Sequence, residues 1–218
     1  MRKKELIKRY ILFIIGLFFA GIGVAFTKHG ELGVSPISSV ANVMSLKFDF
    51  LTIGSWLIIW NCVLILGQIV LLRKEFKLYQ LLQIPLSFLF GYFTDFGMWI
   101  VSFIPANSYF ARLLMLFIGI AVLAFGISLS VIANVIMNSG EAIVKVISDK
   151  TGFEFGNVKV VFDISCVAVS IILSLIFFDM KIIGTREGTI LSAILTGFVV
   201  KFFTKLLKQR LSKLLEAK

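Results

Sequence analysis

The sequence predicts an all-α, polytopic membrane protein of about six transmembrane helices, arranged as two inverted three-helix repeats. Three observations predict it. Hydrophobic residues fill 59% of the 218 positions and charged residues only 16%, whereas a soluble domain carries about a quarter of charged residues. Six apolar runs are long enough to cross a bilayer, and short motifs recur about 103 residues apart. With 23 Phe, 3 Pro and a mean hydropathy of +1.00, the chain reads neither as a disordered segment nor as an ordinary cytosolic enzyme.

The runs are Tyr10 to Thr27, Leu51 to Leu72, Tyr79 to Ile104, Tyr109 to Met137, Phe153 to Phe178 and Gly188 to Lys205. At about 1.5 Å per residue each can cross about 30 Å of hydrocarbon, the first and last with little to spare. Helices are expected because lipid offers backbone groups no partners, and stretches such as Val63 to Leu72 lack the alternation of a barrel strand. The first run is longer than a secretory signal core and no Ala-x-Ala-like site closes it, so it is expected to be a retained span. The whole chain, 1–218, reads as one membrane domain. Repeat one covers about 10–104, repeat two about 109–205, and a basic amphipathic tail about 205–218.

The net charge of +10 gains meaning from its placement. Arg2, Lys3, Lys4, Lys8 and Arg9 precede the first run; Arg73, Lys74 and Lys77 follow the second; Lys205, Lys208, Arg210, Lys213 and Lys218 follow the last. Such flanks mark the cytoplasmic side and seek anionic lipid, which predicts a membrane protein with both termini in the cytoplasm. Lys28, Lys47, Arg112, Lys181 and Arg186 fall on the other side, with Glu31, Asp49, Asp179 and Glu187 close to four of them. No basic groove with interleaved aromatics exists elsewhere, so no nucleic acid is expected as a partner. Cys62 and Cys166 sit apart inside apolar runs and read as small hydrophobes, with no metal and no cofactor implied.

The repeat rests on three alignments. Gly23-Val-Ala-Phe-Thr lies over Gly126-Ile-Ser-Leu-Ser, which sets Glu31 over Asn134 and Ser35 over Asn138. Leu51-Thr-Ile-Gly54 with Asn61 lies over Phe153-Glu-Phe-Gly156 with Asp163. Gly91 with Phe96 lies over Gly197 with Phe202. Each unit holds three spans, so the second would enter the membrane from the opposite face, a construction shared by many secondary transporters.

Gly21-Ile-Gly-Val-Ala-Phe, Glu31-Leu-Gly-Val-Ser-Pro-Ile-Ser38, the echo from Phe125-Gly-Ile-Ser-Leu to Asn138-Ser-Gly140, and Gly188-Thr-Ile-Leu-Ser resemble the bacterial YczE/YyaS/YitT membrane proteins over nearly the whole chain. The resemblance implies a bacterial plasma-membrane protein and carries over no catalytic residue. The second motif has Ser139 where the first has Pro36.

Polar groups inside the bilayer are the site candidates, since an acid at a helix centre costs about 2.5 to 3.5 kcal/mol on insertion scales. Asn61 stands about 15 Å into its run, near half the hydrocarbon thickness. Asp163, its repeat counterpart, enters to a similar depth from the other face, so the two are expected to converge at the midplane. An Asn–Asp bond that merely joins two spans is the structural alternative. Asp95 has Lys201 as its counterpart, but inverted copies lie at opposite depths; its expected partners are Thr94 or water. Gly30, Gly33 and Pro36 break helix before Ile37 to Phe48 resume it, which predicts a short helix from Ser35 with free N–H groups at its start. Its counterpart starts at Asn138-Ser-Gly-Glu, with Glu141 as a first-turn acid. The segments 28–50 and 138–150 can be re-entrant or interfacial. His29 is expected to be solvated, and Gly21, Gly23, Gly91 and Gly126 to permit close helix packing. Trp56, Trp60 and Trp99 read as packing or interface aromatics.

No His-Glu-x-x-His, Gly-x-Ser-x-Gly or phosphate-loop motif occurs, so no enzymatic activity is expected. The leading expectation is secondary transport of a small solute or ion, with Asn61, Asp95, Asp163, Ser35 and Glu141 along the path. The alternative is a membrane-embedded interaction or regulatory protein with a packed interior. A chain of 24.4 kDa is small for a transporter, which leaves room for a homodimer.

Overall fold

A computed structural model describes residues 3–216; Arg2 and Lys218, counted above among the basic flanks, lie outside the described residues. Among the described residues the regular structure is entirely helical. In chain order the α-helices are α1 (Lys3–His29), α2 (Pro36–Lys47), α3 (Ile53–Leu72), α4 (Gln83–Val101), α5 (Tyr109–Ala133), α6 (Ser139–Thr151), α7 (Phe155–Phe177) and α8 (Glu187–Glu216). Six of them, all but α2 and α6, are long and apolar enough to cross a membrane. The tail is the last turns of α8 itself rather than a separate helix, and its backbone is tied to the start of α1 by Lys8 Nζ donating to the Leu214 carbonyl at 3.2 Å.

The order long, short, long, long occurs twice, in α1–α4 and again in α5–α8. Packing follows the same scheme: α1 lies on α4 as α5 lies on α8, and α2 lies on α7 as α6 lies on α3. Between the two sets, α1 and α5 cross antiparallel at very short range. A methyl group at Gly16 would stand 2.7 Å from the Gly126 carbonyl oxygen, and one at Gly119 would stand 2.9 Å from that of Gly23. Those two contacts are the same contact read from either helix, because Gly119 and Gly126 lie 103 residues after Gly16 and Gly23. Small residues let the backbones touch, which is how spans gain dispersion energy where lipid supplies no hydrophobic drive. Phe13, Leu17, Val24, Leu57, Phe90 and Leu123 fill the core beside this crossing.

The helix ends repeat as well. Glu31 after α1 and Asn134 after α5 both take left-handed backbone, with φ of 55° and 49°. Ser35 and Asn138, one residue before α2 and α6, have φ, ψ of −58°, 149° and −59°, 149°. Pro36 suits the first position of α2, where its missing N–H costs nothing.

Each short helix lies along a long helix of the other half. The Ser39 hydroxyl, in the first turn of α2, lies 3.5 Å from the Cys166 carbonyl at mid-length of α7, and Lys47, at the end of α2, donates to the Phe177 carbonyl where α7 ends. Likewise α6 starts against Asn61 and Gln68 of α3 and ends with Lys150 paired to Glu75, just beyond α3, at 3.4 Å. The two starts meet: a methyl at Gly140 would lie 2.7 Å from Ile37 Cδ1. Hence α2 and α6 begin beside each other, near the middles of α7 and α3, and each runs to the end of the long helix it lies along.

Candidate functional site

Polar side chains gather around the start of α6. The Ser139 hydroxyl donates to Asn61 Oδ1 at 2.6 Å, and the Ser139 carbonyl accepts from Gln68 Nε2 at 3.3 Å. Gln68 and Gln83 exchange amide hydrogen bonds of 3.0 and 3.1 Å, joining α3 to α4 at the same level. Asn138 caps its own helix through Oδ1 and the Ser139 N–H at 3.0 Å.

Two groups in this cluster are buried without a protein partner: Asn61 Nδ2, a donor, and Glu141 Oε2, an acceptor or, when protonated, a donor. Leaving such groups unpaired costs about 1–3 kcal/mol each, and a native structure that retains two of them invites a ligand or proton role. Glu141 sits within the electrostatic reach of Lys159 and Asp163 on α7. Those two form an ion pair one turn apart, with Lys159 Nζ reaching both carboxylate oxygens of Asp163. The first turn of α6 thus bonds Asn61 through Ser139 and carries Glu141 within the electrostatic reach of Asp163.

Asp95 and Ser35 lie elsewhere. Asp95 spans from α4 to the start of α3, accepting the Gly54 N–H at 2.9 Å and the Thr52 hydroxyl at 2.6 Å. It is a negative charge at a helix N-terminus, stabilised by the free N–H groups there, and this replaces Thr94 or water as its expected partner. Thr94 instead donates to the Phe90 carbonyl one turn back. Ser35 makes no capping bond; its hydroxyl donates to Ser38 at 2.9 Å. His29, expected to be solvated, meets the Ile104 carbonyl at 2.8 Å.

Three residues escaped the sequence reading. Lys159 was hidden by its position near the start of a run, although its spacing of four from Asp163 is that of a helical ion pair. Gln68 and Gln83 are neutral and ordinary in composition, and only the folded chain pairs them. A second polar group, Lys28 donating to Asn42 at 2.9 Å and Ser45 at 2.7 Å, with Asn42 donating to the Gly184 carbonyl at 2.7 Å, ties α1, α2 and the α7–α8 loop. A cavity of about 220 Å³ lies between α2, α3 and α7, but Val40, Met44, Trp56, Trp60, Val63 and Leu173 line it, so it is an apolar crevice apart from the charged cluster.

Residues 7–205 match the family of unknown function DUF6198. The chain belongs to that family. Two proteins of Bacillus subtilis (strain 168) are similar to this member of DUF6198. "Uncharacterized membrane protein YczE" is 28% identical over 203 residues, covering 92% of this chain and 87% of its own. "Uncharacterized protein YyaS" is 28% identical over 119 residues, covering 54% of this chain and 57% of its own. The resemblance to YczE and YyaS read from the glycine motifs is therefore upheld. No solved structure matches.

Proposed function

We propose that this DUF6198 protein is a secondary transporter of a small solute or ion, built from two inverted repeats, with both termini in the cytoplasm and no enzymatic chemistry of its own. The observation that carries the reading is the pair of unpartnered polar groups, Asn61 Nδ2 and Glu141 Oε2, at the mid-depth start of a re-entrant helix. Substrate and coupling-ion sites of inverted-repeat transporters form where broken helices expose their ends near the midplane. The inverted arrangement is supported by the reciprocal Gly16–Gly126 and Gly23–Gly119 contacts and the antiparallel crossing that makes them. Glu141 is the proton carrier in this scheme, with Lys159 and Asp163 of α7 within its electrostatic reach. Asn61 would orient the cargo. The basic flanks hold the protein against anionic headgroups of the inner leaflet.

Proteoliposomes containing the full chain and a trapped pH-sensitive dye test this. They are challenged in turn with small carboxylates, amines, sugars and inorganic ions. The expected result is proton movement that depends on one class of solute, is lost in Glu141→Gln and is retained in Ser38→Ala. Silence toward the whole panel, or a Glu141→Gln variant as active as the wild type, overturns the reading.

A second reading, an embedded interaction or regulatory protein, is favoured by one observation: both oxygens of Asp163 are taken by Lys159 and both of Asp95 by the start of α3. It predicts the same protein silent in the flux assay and recovered from native membranes with a stoichiometric partner.

A further inference from the structure

The two halves differ at one seam. In the first half α3 and α4 pack face to face through glycine: a methyl at Gly91 would stand 2.7 Å from the Gly54 carbonyl oxygen and 2.6 Å from Ile58 Cγ1. Asp95 bridges the seam by binding Thr52 and the Gly54 N–H. The repeat register lays Gly156 over Gly54, Gly197 over Gly91, Glu154 over Thr52 and Lys201 over Asp95. None of the corresponding contacts is made. A methyl at Gly156 or at Gly197 would meet nothing within 4 Å, and α7 and α8 share no packed face, α7 lying on α2 and α6 while α8 lies on α5. Among the described residues the side chains of Glu154 and Lys201 are exposed and make no hydrogen bond or ion pair. The uncovered side of α7 also leaves Asp163 and Lys159 partly exposed, while Asn61 and Leu57, their counterparts under α4, are buried.

We propose that α8 has a second resting position, packed on α7 through Gly156 and Gly197 and locked by a Glu154–Lys201 ion pair, so that the present gap is the open state of a gate beside the polar site. The proposal rests on the inverted-repeat reading above. Every element of the shut first seam has its equivalent in the open second one: two glycines that permit close approach, and a donor–acceptor pair across the joint, with its polarity reversed. The occupant of the gap is therefore α7 itself. When the seam shuts, Lys159 and Asp163 lose their exposure and the cluster around Glu141 closes on that side. A gate on one seam alone would expose the site to one side only, so opening of the α3–α4 seam belongs to the same cycle, as alternating access requires.

Cross-linking in proteoliposomes decides it. In a background of Cys62→Ala and Cys166→Ala, the full chain carrying Gly156→Cys and Gly197→Cys is exposed to copper phenanthroline. Both sites have open space, so folding is expected and is checked by a single size-exclusion peak. The expected product is an intrachain disulfide joining the α7 and α8 fragments after proteolysis. Glu154→Lys should lower its rate at least about fivefold, and adding Lys201→Glu should restore it, as for a charge pair reversed as a unit. No intrachain product overturns the gate, and so does a product between chains, which would assign the gap to a second copy. A yield indifferent to the charge reversals overturns the lock. If the double-cysteine chain does not fold, spin labels at the exposed Val160 and Phe198 provide the second measurement: two distance populations support the gate and a single one overturns it. The assay needs no substrate. A cross-link with a silent solute panel refutes transport and leaves the gate standing, and solute flux without a cross-link does the reverse.

Discussion

The starts of α2 and α6 share one backbone and carry different chemistry. Ser35 and Asn138 have nearly the same φ and ψ, and the two helices begin beside each other. Yet the first turn of α2 holds Pro36, Ser38 and Ser39, whose hydroxyls are occupied by neighbours, and contains no acid. The first turn of α6 holds Ser139 and Glu141, set against Asn61 and near the Lys159–Asp163 pair. The repeat thus preserves a framework whose dihedrals and close approaches are dictated by backbone sterics. The side chains it presents have diverged, and one half holds the charged cluster.

The largest expected effect comes from the shared framework. Gly126→Leu must force α1 and α5 apart at backbone-to-backbone range, where a single Cβ already meets the Gly16 carbonyl, and should cost about 3 kcal/mol or more. Gly197→Leu, in open space, should leave the melting temperature in detergent unchanged. Equal losses for the two would erase the distinction between closed and open seams.

Next is the pair Asp95 and Lys201. Asp95→Ala strips the Gly54 N–H and the Thr52 hydroxyl of their acceptor and should cost about 2 kcal/mol, as for hydrogen bonds to a charged group. Lys201→Ala should stay within about 0.5 kcal/mol, as for a surface substitution. Thermal unfolding of the two variants side by side measures the difference, and a costly Lys201→Ala would mean that the second seam is shut in solution.

The smallest effect separates the two short-helix starts. Ser139→Ala leaves Asn61 Oδ1 without its donor and should cost about 0.6 kcal/mol, the average for a hydrogen bond between spans. Ser35→Ala removes no capping bond and should be neutral in the same assay. Reversal of that order would place the more tightly built start in α2.

Much of the architecture was legible because hydrocarbon imposes it. The six spans, the helix starts at Ser35 and Asn138, and the packing role of Gly23 and Gly126 follow from run length, breakers and small residues in an apolar setting. Asn61, Glu141 and Asp163 also stand out in the sequence, as polar groups where insertion is costly. Asp95 stood out for the same reason, yet it serves the start of α3. A carboxylate in a span looks the same in sequence whether it awaits cargo or caps a neighbouring helix, and only the position of Thr52 and Gly54 across the seam separates the cases.

By itself the sequence determined the solvent and the number of long apolar helices, since both depend on residue type and spacing along the chain. The tertiary structure alone decided that α2 lies along α7 and α6 along α3, that Gln68 meets Gln83, and that α4 covers α3 while α8 stands away from α7. Those outcomes depend on which surfaces meet across the bundle, and in lipid, where any apolar face is already solvated, contact is settled by close shape fit and hydrogen-bond partners rather than by hydrophobicity.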